Sequence, residues 1–160
     1  MPRILITYYS RTGNTAKMAE AIAEGAKSLK GVEVIVKRIE EASIEDLLRA
    51  DTIVIGSPTY YGLLAEPVKK LIDESVKIHG KLDGKIGAAF TSAGGASSGA
   101  ETTIMSILTA MLVHGMIVQG DPKEQHYGAV SIGKPERREI ELCKRKGKRI
   151  AELTLKIFGK

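Results

Sequence analysis

The 160-residue sequence contains no tryptophan, a single cysteine and few aromatic residues, at 4%. One cysteine, Cys143, excludes an intrachain disulfide and a multi-cysteine metal site. With so few aromatic side chains, the core must consist largely of Ile, Leu, Val, Met and Ala. No apolar run approaches the ~20 residues that cross a bilayer, and no charged segment followed by a long apolar run marks a signal peptide. We therefore expect a cytoplasmic chain with no membrane span.

Side-chain arrangements for hydrolysis or metal chemistry are missing as well. We find no Ser–His–Asp arrangement and no cluster of residues at metal-ligand spacing, so we expect no bound metal. Cys143 shares helical spacing with Ile140, Ile150 and Ile157. This spacing indicates a small core residue rather than a nucleophile.

Two common nucleotide-binding motifs are also absent. No G-x-G-x-x-G occurs, because the glycine-rich loop Gly94-Gly95-Ala-Ser-Ser-Gly99 has a different spacing and follows the apolar run 85–90, which we predict to be the fourth strand. Gly84-Lys85 is followed by Ile86 rather than Ser or Thr, which excludes a Walker A motif. Dinucleotide binding of the Rossmann type and NTP hydrolysis are thus disfavoured.

The net charge is +5, from 24 Lys and Arg against 19 Asp and Glu. We interpret a late group of cations as the solvated face of the last helix, whose C-terminal end favours positive charge. A patch for nucleic acid or an acidic partner is the alternative. No aromatic residue interleaves these charges to stack on bases, so we expect no nucleic acid. The group comprises Lys134, Arg137, Arg138, Lys144, Arg145, Lys146, Lys148 and Arg149.

Short apolar runs alternate with amphipathic segments along the whole chain. Helices are predicted at 14–30 and 101–114, from Ser43, from Pro67, and from about 135 to 158, while 120–134 is rich in turns. The predicted strands are 3–8, 32–36, 53–55, 85–90 and 116–118. This alternation predicts a single α/β domain over residues 1–160, with a doubly wound, five-stranded parallel sheet.

Three unusual loops follow the first, third and fourth predicted strands, at residues 9–15, 56–66 and 91–101. Because the carboxyl ends of parallel strands meet at one edge of the sheet, we expect these loops to lie together. Ligands of doubly wound sheets bind at that edge. The sequence therefore predicts one binding site built from the three loops.

The first loop is rich in polar side chains and leads directly into a helix. Gly13 allows the backbone to approach a ligand closely. The first turn of a helix leaves N–H groups unpaired and carries the positive end of the dipole, so such a site binds phosphate. Capping by Asn14 or Thr12 is the alternative, but a cap needs only one residue. Here four side-chain donors surround the glycine: Ser10, Thr12, Asn14 and Thr15.

The three loops resemble those of the flavodoxin-like FMN proteins. Thr7-Tyr-Tyr-Ser-Arg-Thr-Gly-Asn-Thr15 is similar to their phosphate loop, and Gly56-Ser-Pro-Thr-Tyr-Tyr-Gly62 is similar to their isoalloxazine-contacting loop. The resemblance covers nearly the whole chain, and it implies a sheet of order 2-1-3-4-5 with helices on both faces. Four later segments are most similar to the WrbA-like NAD(P)H:quinone oxidoreductases: Phe90-Thr-Ser-Ala-Gly-Gly95, Glu101-Thr102, His114-Gly-Met116 and His126-Tyr-Gly-Ala129.

This resemblance implies FMN as the cofactor and assigns a part of it to each loop. The first loop would hold the phosphate, the second would lie along the flavin ring, and the third would offer backbone N–H groups to the polar edge of the ring. His114 matches a position that approaches the flavin in the quinone reductases, so we expect it to be catalytic. The cofactor-binding residues are then Ser10, Arg11, Thr12, Gly13, Asn14, Thr15, Pro58, Thr59, Tyr60, Tyr61, Gly62, Thr91, Ser92, Ala93, Gly94, Gly95 and Ala96.

Alternatives to these roles remain at several positions. Tyr60 or Tyr61 would stack on the flavin, or both are partly exposed loop residues. The third loop would stabilise negative charge on the reduced flavin, or it is simply flexible. His114 closes an apolar helix before Gly115, where the helix dipole alone favours a histidine. His126, with its tyrosine neighbour, would contact substrate.

Two functions follow from the resemblance. The first is an FMN oxidoreductase that passes electrons from NAD(P)H to a quinone-like acceptor. The second is a flavodoxin that carries single electrons between redox partner proteins. Flavodoxins are typically acidic, whereas this chain is basic and has no Asp or Glu between 91 and 99, which favours the enzyme. A third hypothesis is an FMN-binding module of a larger redox complex, or a regulator with a vestigial site.

The resemblance also allows a homo-oligomer. However, the chain lacks the tryptophans of the WrbA-like group and the inserted segment that is tied to the tetramers of its larger members.

Overall fold

A computed structural model describes all residues from Met1 to Lys160. Strands and helices alternate, as the sequence pattern predicts, and short 3₁₀ turns at Ile39–Glu41 and Ser75–Ile78 follow β2 and α3. No helix is both long enough and apolar enough to span a bilayer. The elements are β1 (Arg3–Tyr8), α1 (Asn14–Lys27), β2 (Glu33–Arg38), α2 (Ile44–Arg49), β3 (Thr52–Pro58), α3 (Glu66–Glu74), β4 (Ile86–Ala93), α4 (Ala100–Val113), β5 (Ile117–Val118), β6 (Ala129–Ile132) and α5 (Arg137–Phe158).

The strands form one parallel sheet in the order β2-β1-β3-β4-β5, which confirms the predicted fold. An additional strand, β6, was not predicted. β5 pairs with the start of β4, where Ile86 lies opposite Ile117, and β6 pairs with its end, where Phe90 lies opposite Ala129. The fifth position of the sheet is thus divided between two short strands. The predicted turn-rich segment 120–134 contains the second of them.

Each central strand is buried on both faces, because helices cover the sheet on either side. Ile4 and Ile6 of β1 pack with α1 and α5, while Leu5 between them packs with the opposite core, to which α3 and α4 contribute. Cys143 of α5 is 1% exposed, so the prediction of a core residue is confirmed. Burial raises the pKa of its thiol to about 12, which leaves no thiolate at neutral pH.

The two helices on one face of the sheet cross at a pair of glycines. A Cβ atom at Gly25 of α1 would lie 1.9 Å from the carbonyl oxygen of Lys144. A Cβ atom at Gly147 of α5 would lie 1.9 Å from the carbonyl oxygen of Ile22. The backbones of α1 and α5 therefore touch directly, and neither position has space for a side chain.

Several late cations hold the connection between β5 and β6 against α5. Arg145 donates to both carboxylate oxygens of the buried Asp121, one of them at 3.0 Å, and Arg149 donates to the carbonyl of Gly120 at 3.0 Å. Lys146 is buried, with its Nζ 3.4 Å from the carbonyl oxygen of Gln119. The prediction of a purely solvated cationic face is therefore wrong for these three residues. Their contacts stabilise the connection between β5 and β6.

We expect Gly147→Ala to destabilise the protein by at least about 1–3 kcal/mol, since a methyl group at this contact forces two backbones apart. Lys148→Ala is the matched control, because Lys148 follows Gly147 in the same helix and its side chain is exposed. Thermal and denaturant unfolding measure both. Equal stability of the two variants would contradict the close helix contact.

The Asp121 pair also predicts a dependence of stability on pH. Hydrogen bonds from Arg145 hold the pKa of Asp121 at about 2, below its ordinary value of 3.8. A carboxyl with a lowered folded-state pKa stabilises the fold above its unfolded-state pKa, and this contribution is lost as the pH falls toward 2. We therefore expect Asp121→Asn to be less stable than wild type at pH 6, with a difference that narrows between pH 4 and pH 2. A difference independent of pH would contradict the pairing.

Candidate functional site

The structure brings the three loops predicted from the sequence together at the carboxyl edge of the sheet. Hydroxyl groups connect them. Thr15 at the start of α1 and Ser92 near the end of β4 lie 2.9 Å apart, oxygen to oxygen, and Thr59 and Thr91 lie 2.8 Å apart. Thr102 of α4 donates to the carbonyl of the second loop at 2.7 Å. The loops thus form one connected surface rather than three separate turns.

Ser10 closes the first loop as a hydrogen-bond acceptor. Its Oγ accepts from the backbone N–H of Gly13 at 3.1 Å and from that of Ala16 at 3.2 Å, and Arg38 donates to its carbonyl. Gly13 occupies the N-cap position of α1 with φ = +97°, a conformation that disfavours other residues. The N-cap glycine has no side chain, and the Ser10 hydroxyl accepts from the first turn instead, so the alternative in which Asn14 or Thr12 is a cap is wrong.

The first loop presents backbone donors that have no acceptor in the chain. The N–H groups of Arg11, Thr12, Asn14 and Thr15 form no hydrogen bond. They surround the N-terminus of a 14-residue helix, where the dipole adds positive potential. Arg11, Thr12 and Gly13 are exposed. The chemistry of this donor set suits an anion with several oxygens, such as a terminal phosphate.

The second loop is a tight hairpin with two tyrosines. Pro58 ends β3, the N–H of Thr59 donates to the carbonyl of Ser92 at 2.7 Å, and Tyr60 and Leu63 exchange both backbone hydrogen bonds. Tyr61 (φ = +52°) and Gly62 (φ = +75°) form the two central residues of the turn.

Two positive φ values define a type I′ turn, in which a tyrosine is an uncommon occupant. Tyr60 is 40% exposed, and Tyr61 projects fully into solvent. Two aromatic rings are thereby available at this edge of the sheet.

The third loop begins later than the sequence predicts. Thr91, Ser92 and Ala93 continue β4, because β6 pairs with them and extends the ladder. The N–H groups of Gly94, Gly95 and Ala96 have no acceptor in the chain. A second set of free backbone donors thus stands beside the first.

His114 lies at the opposite edge of the sheet from the three loops. It follows α4, whose 14 residues run away from the third loop over about 21 Å at 1.5 Å per residue. Ser75 donates to the carbonyl of Ile72, so the Nε2–H of His114 donates to Ser75 Oγ at 2.7 Å. Burial first, and then the neighbouring His79, lower its pKa. The expectation that His114 approaches a flavin held by the loops is therefore wrong.

A cleft of about 380 Å³ lies between α4 and β6, next to the third loop. Its walls include Glu101, Ile104 and an exposed pair, His126 and Tyr127. The Nδ1–H of His126 donates to the carbonyl of Asp121 at 2.6 Å, which fixes the tautomer and leaves Nε2 as an acceptor.

Gln125 supports the wall of this cleft, and sequence reasoning missed it. Its side-chain amide exchanges two hydrogen bonds with the backbone of Val130, at 2.8 and 3.1 Å, and its φ is +48°. A single glutamine in a turn-rich segment gives no recognisable signal. The structure contains no group of three or more His, Cys, Asp and Glu side chains placed to hold a metal ion.

Comparisons of this chain with known proteins agree on one family. The model of the flavodoxin domain matches residues 5–126. A flavodoxin of Aquifex aeolicus is 45% identical, with 95% of this chain and 86% of that protein covered. An NAD(P)H dehydrogenase (quinone) of Archaeoglobus fulgidus is 35% identical, with 98% and 100% covered.

Among solved structures, a flavodoxin from the domain Archaea is 34% identical and superposes with a TM-score of 0.81 over 95% of this chain and 98% of that one. The sheet order, the three connected loops at its carboxyl edge and these relatives agree. The chain therefore belongs to the flavodoxin family.

Proposed function

We propose that residues 1–160 form a single FMN-binding domain that acts as an oxidoreductase, passing electrons from NAD(P)H to a quinone-like acceptor. The observation that carries this proposal is the presence of two adjacent sets of backbone N–H groups without acceptors, one at a helix N-terminus and one in a glycine-rich loop. A ligand with a phosphate at one end and polar ring atoms at the other matches both sets. FMN has this form.

At the phosphate end, the chain's own residues provide donors and no negative charge. The free N–H groups of Arg11, Thr12, Asn14 and Thr15 and the dipole of α1 favour a phosphate. Gly13 leaves the approach open, since no atom lies within 4 Å of a Cβ built there. We expect a terminal phosphate, such as that of FMN, to occupy this turn.

At the ring end, one of the two tyrosines is proposed to stack on the flavin, while Gly94, Gly95 and Ala96 donate to its polar edge. Bound FMN supplies the redox chemistry. Donors fixed in advance favour negative charge that develops on a bound group, by the same physical effect as an oxyanion hole. The segment 91–99 contains no Asp or Glu to oppose this effect.

The cleft between α4 and β6 is the proposed site of the acceptor. Ala96 and Ser97 of the third loop form one of its walls, so an occupant would lie beside the ring site. Tyr127 offers an aromatic face. His126 offers its Nε2 atom, because its Nδ1 is hydrogen-bonded to the carbonyl of Asp121. A planar carbonyl compound suits these groups.

A one-electron carrier is the second candidate, supported by the 45% identity to a protein named flavodoxin. Its binding residues would be the same. The two candidates differ in whether NAD(P)H reduces the bound flavin directly and whether small acceptors reoxidise it. The charge of +5 also differs from the acidic character typical of flavodoxins.

The phosphate loop predicts that Gly13→Val weakens FMN binding by roughly 5- to 100-fold and riboflavin binding much less. Valine at φ = +97° carries strain on the order of 1–3 kcal/mol, which distorts the turn that presents the donors. Fluorescence titration of the apoprotein measures both affinities. Gly80→Val is the matched control, because Gly80 has φ = +85° and open space but lies far from the three loops. The interpretation is contradicted if both variants lose FMN affinity equally.

The oxidoreductase function predicts that NADH or NADPH, added without oxygen, bleaches the visible absorbance of the FMN-loaded protein, and that a benzoquinone restores it over many turnovers. His126→Ala should lower the turnover rate, since its ring faces the acceptor cleft. His114→Ala should not, because His114 lies at the opposite edge. If NAD(P)H leaves the absorbance unchanged while a ferredoxin-type reductase bleaches it, the one-electron carrier is the correct function.

A further inference from the structure

The hydroxyl pair of Thr15 and Ser92 joins the two halves of the proposed FMN site. Thr15 belongs to the first turn of α1 and Ser92 to the end of β4, and their oxygens lie 2.9 Å apart. Both residues are buried, at 2% and 7% exposure. No other side-chain hydrogen bond connects the first loop with the strand that leads into the third.

The number of protons in this pair is informative. Each hydroxyl carries one proton, and a single hydrogen bond uses only one of the two. Neither oxygen has a further partner in the chain. One O–H group in a buried position is therefore left without an acceptor, although buried polar groups are nearly always satisfied. An acceptor from outside the chain completes the arrangement.

The surroundings decide which hydroxyl holds the free proton. Thr15 stands among the unpaired N–H groups of Asn14 and of its own backbone, where an anion is favoured. A free O–H on Thr15 adds one more donor to that set. This requires Ser92 to donate to Thr15.

We propose that Ser92 is a positioning residue for the phosphate: it donates to Thr15 Oγ1 and thereby directs the Thr15 hydroxyl proton at a phosphate oxygen. The inference rests on the proposed function and deepens it. Donation from Ser92 also polarises the Thr15 hydroxyl, because hydrogen bonds in series strengthen one another. Ser92, whose strand leads into the ring-binding loop, then contributes to selection of FMN over riboflavin.

The test is fluorescence titration of the apoprotein with FMN and with riboflavin. Ser92→Ala should raise the Kd for FMN roughly fivefold to tenfold, as expected for a hydrogen bond that supports a charged partner. The Kd for riboflavin should stay unchanged, because riboflavin has no phosphate. Thr15→Val should lower the FMN preference at least as much, and the double variant should bind FMN no more weakly than Thr15→Val alone.

Ser106→Ala is the matched control, since its hydroxyl bonds only within α4 and should alter neither affinity. If Ser92→Ala does not fold, as judged by circular dichroism, Thr15→Ser and Thr15→Val replace it: the first keeps the hydroxyl and should keep the FMN preference, and the second should lose it.

Three results overturn the proposal. Equal weakening of both ligands by Ser92→Ala would place the free proton on Ser92, facing the ring. Full additivity with Thr15→Val would show that the two hydroxyls act independently. Equal FMN preference of Thr15→Ser and Thr15→Val would show that the Thr15 hydroxyl has no part in it. Failure of the wild-type protein to bind FMN at all would instead refute the proposed function itself.

Discussion

Backbone N–H groups without acceptors are the constraint on which this site depends. A parallel sheet sends each strand into a turn that begins a helix, and the first turn of a helix cannot satisfy its own donors. In this chain the turn after β1 leads into α1 in this way, and the glycine-rich loop after β4 adds the free N–H groups of Gly94, Gly95 and Ala96. The free donors at both places are available to a polar ligand, so the fold provides a surface that suits one at this edge.

The rest of the structure holds these turns in place. The glycine contact between α1 and α5 fixes α1 against the sheet and so fixes the position of its N-terminus. Hydroxyl pairs between the loops set their spacing without adding charge. The fifth position of the sheet is divided between β5 and β6, and a long connection joins these two strands. Cations of α5 hold this connection in place through Asp121. The connection between β5 and β6 forms one wall of the cleft next to the third loop.

Much of this arrangement could be predicted from the sequence, because apolar runs and polar loops alternate clearly. The limits of the prediction have physical causes. β6 is only four residues long and lies among turn residues, so periodicity does not reveal it. The prediction for His114 fails because a sequence motif does not show at which edge of the sheet a residue lies. His114 follows the end of α4, which runs from the third loop to the far edge. The contact between Thr15 and Ser92 spans 77 positions, and only the register of the sheet brings the two together.

The assignment of the two donor sets is tested most sharply by NMR, in which backbone amide signals are followed while FMN, and separately riboflavin, is added to the apoprotein. Both ligands should shift the signals of Gly94, Gly95 and Ala96, and only FMN should strongly shift those of Arg11, Thr12, Asn14 and Thr15. Signals around His114 should stay unchanged. Identical shifts for the two ligands in the first loop, or the largest shifts near His114, would contradict the assignment of the free donors to a phosphate and a flavin ring.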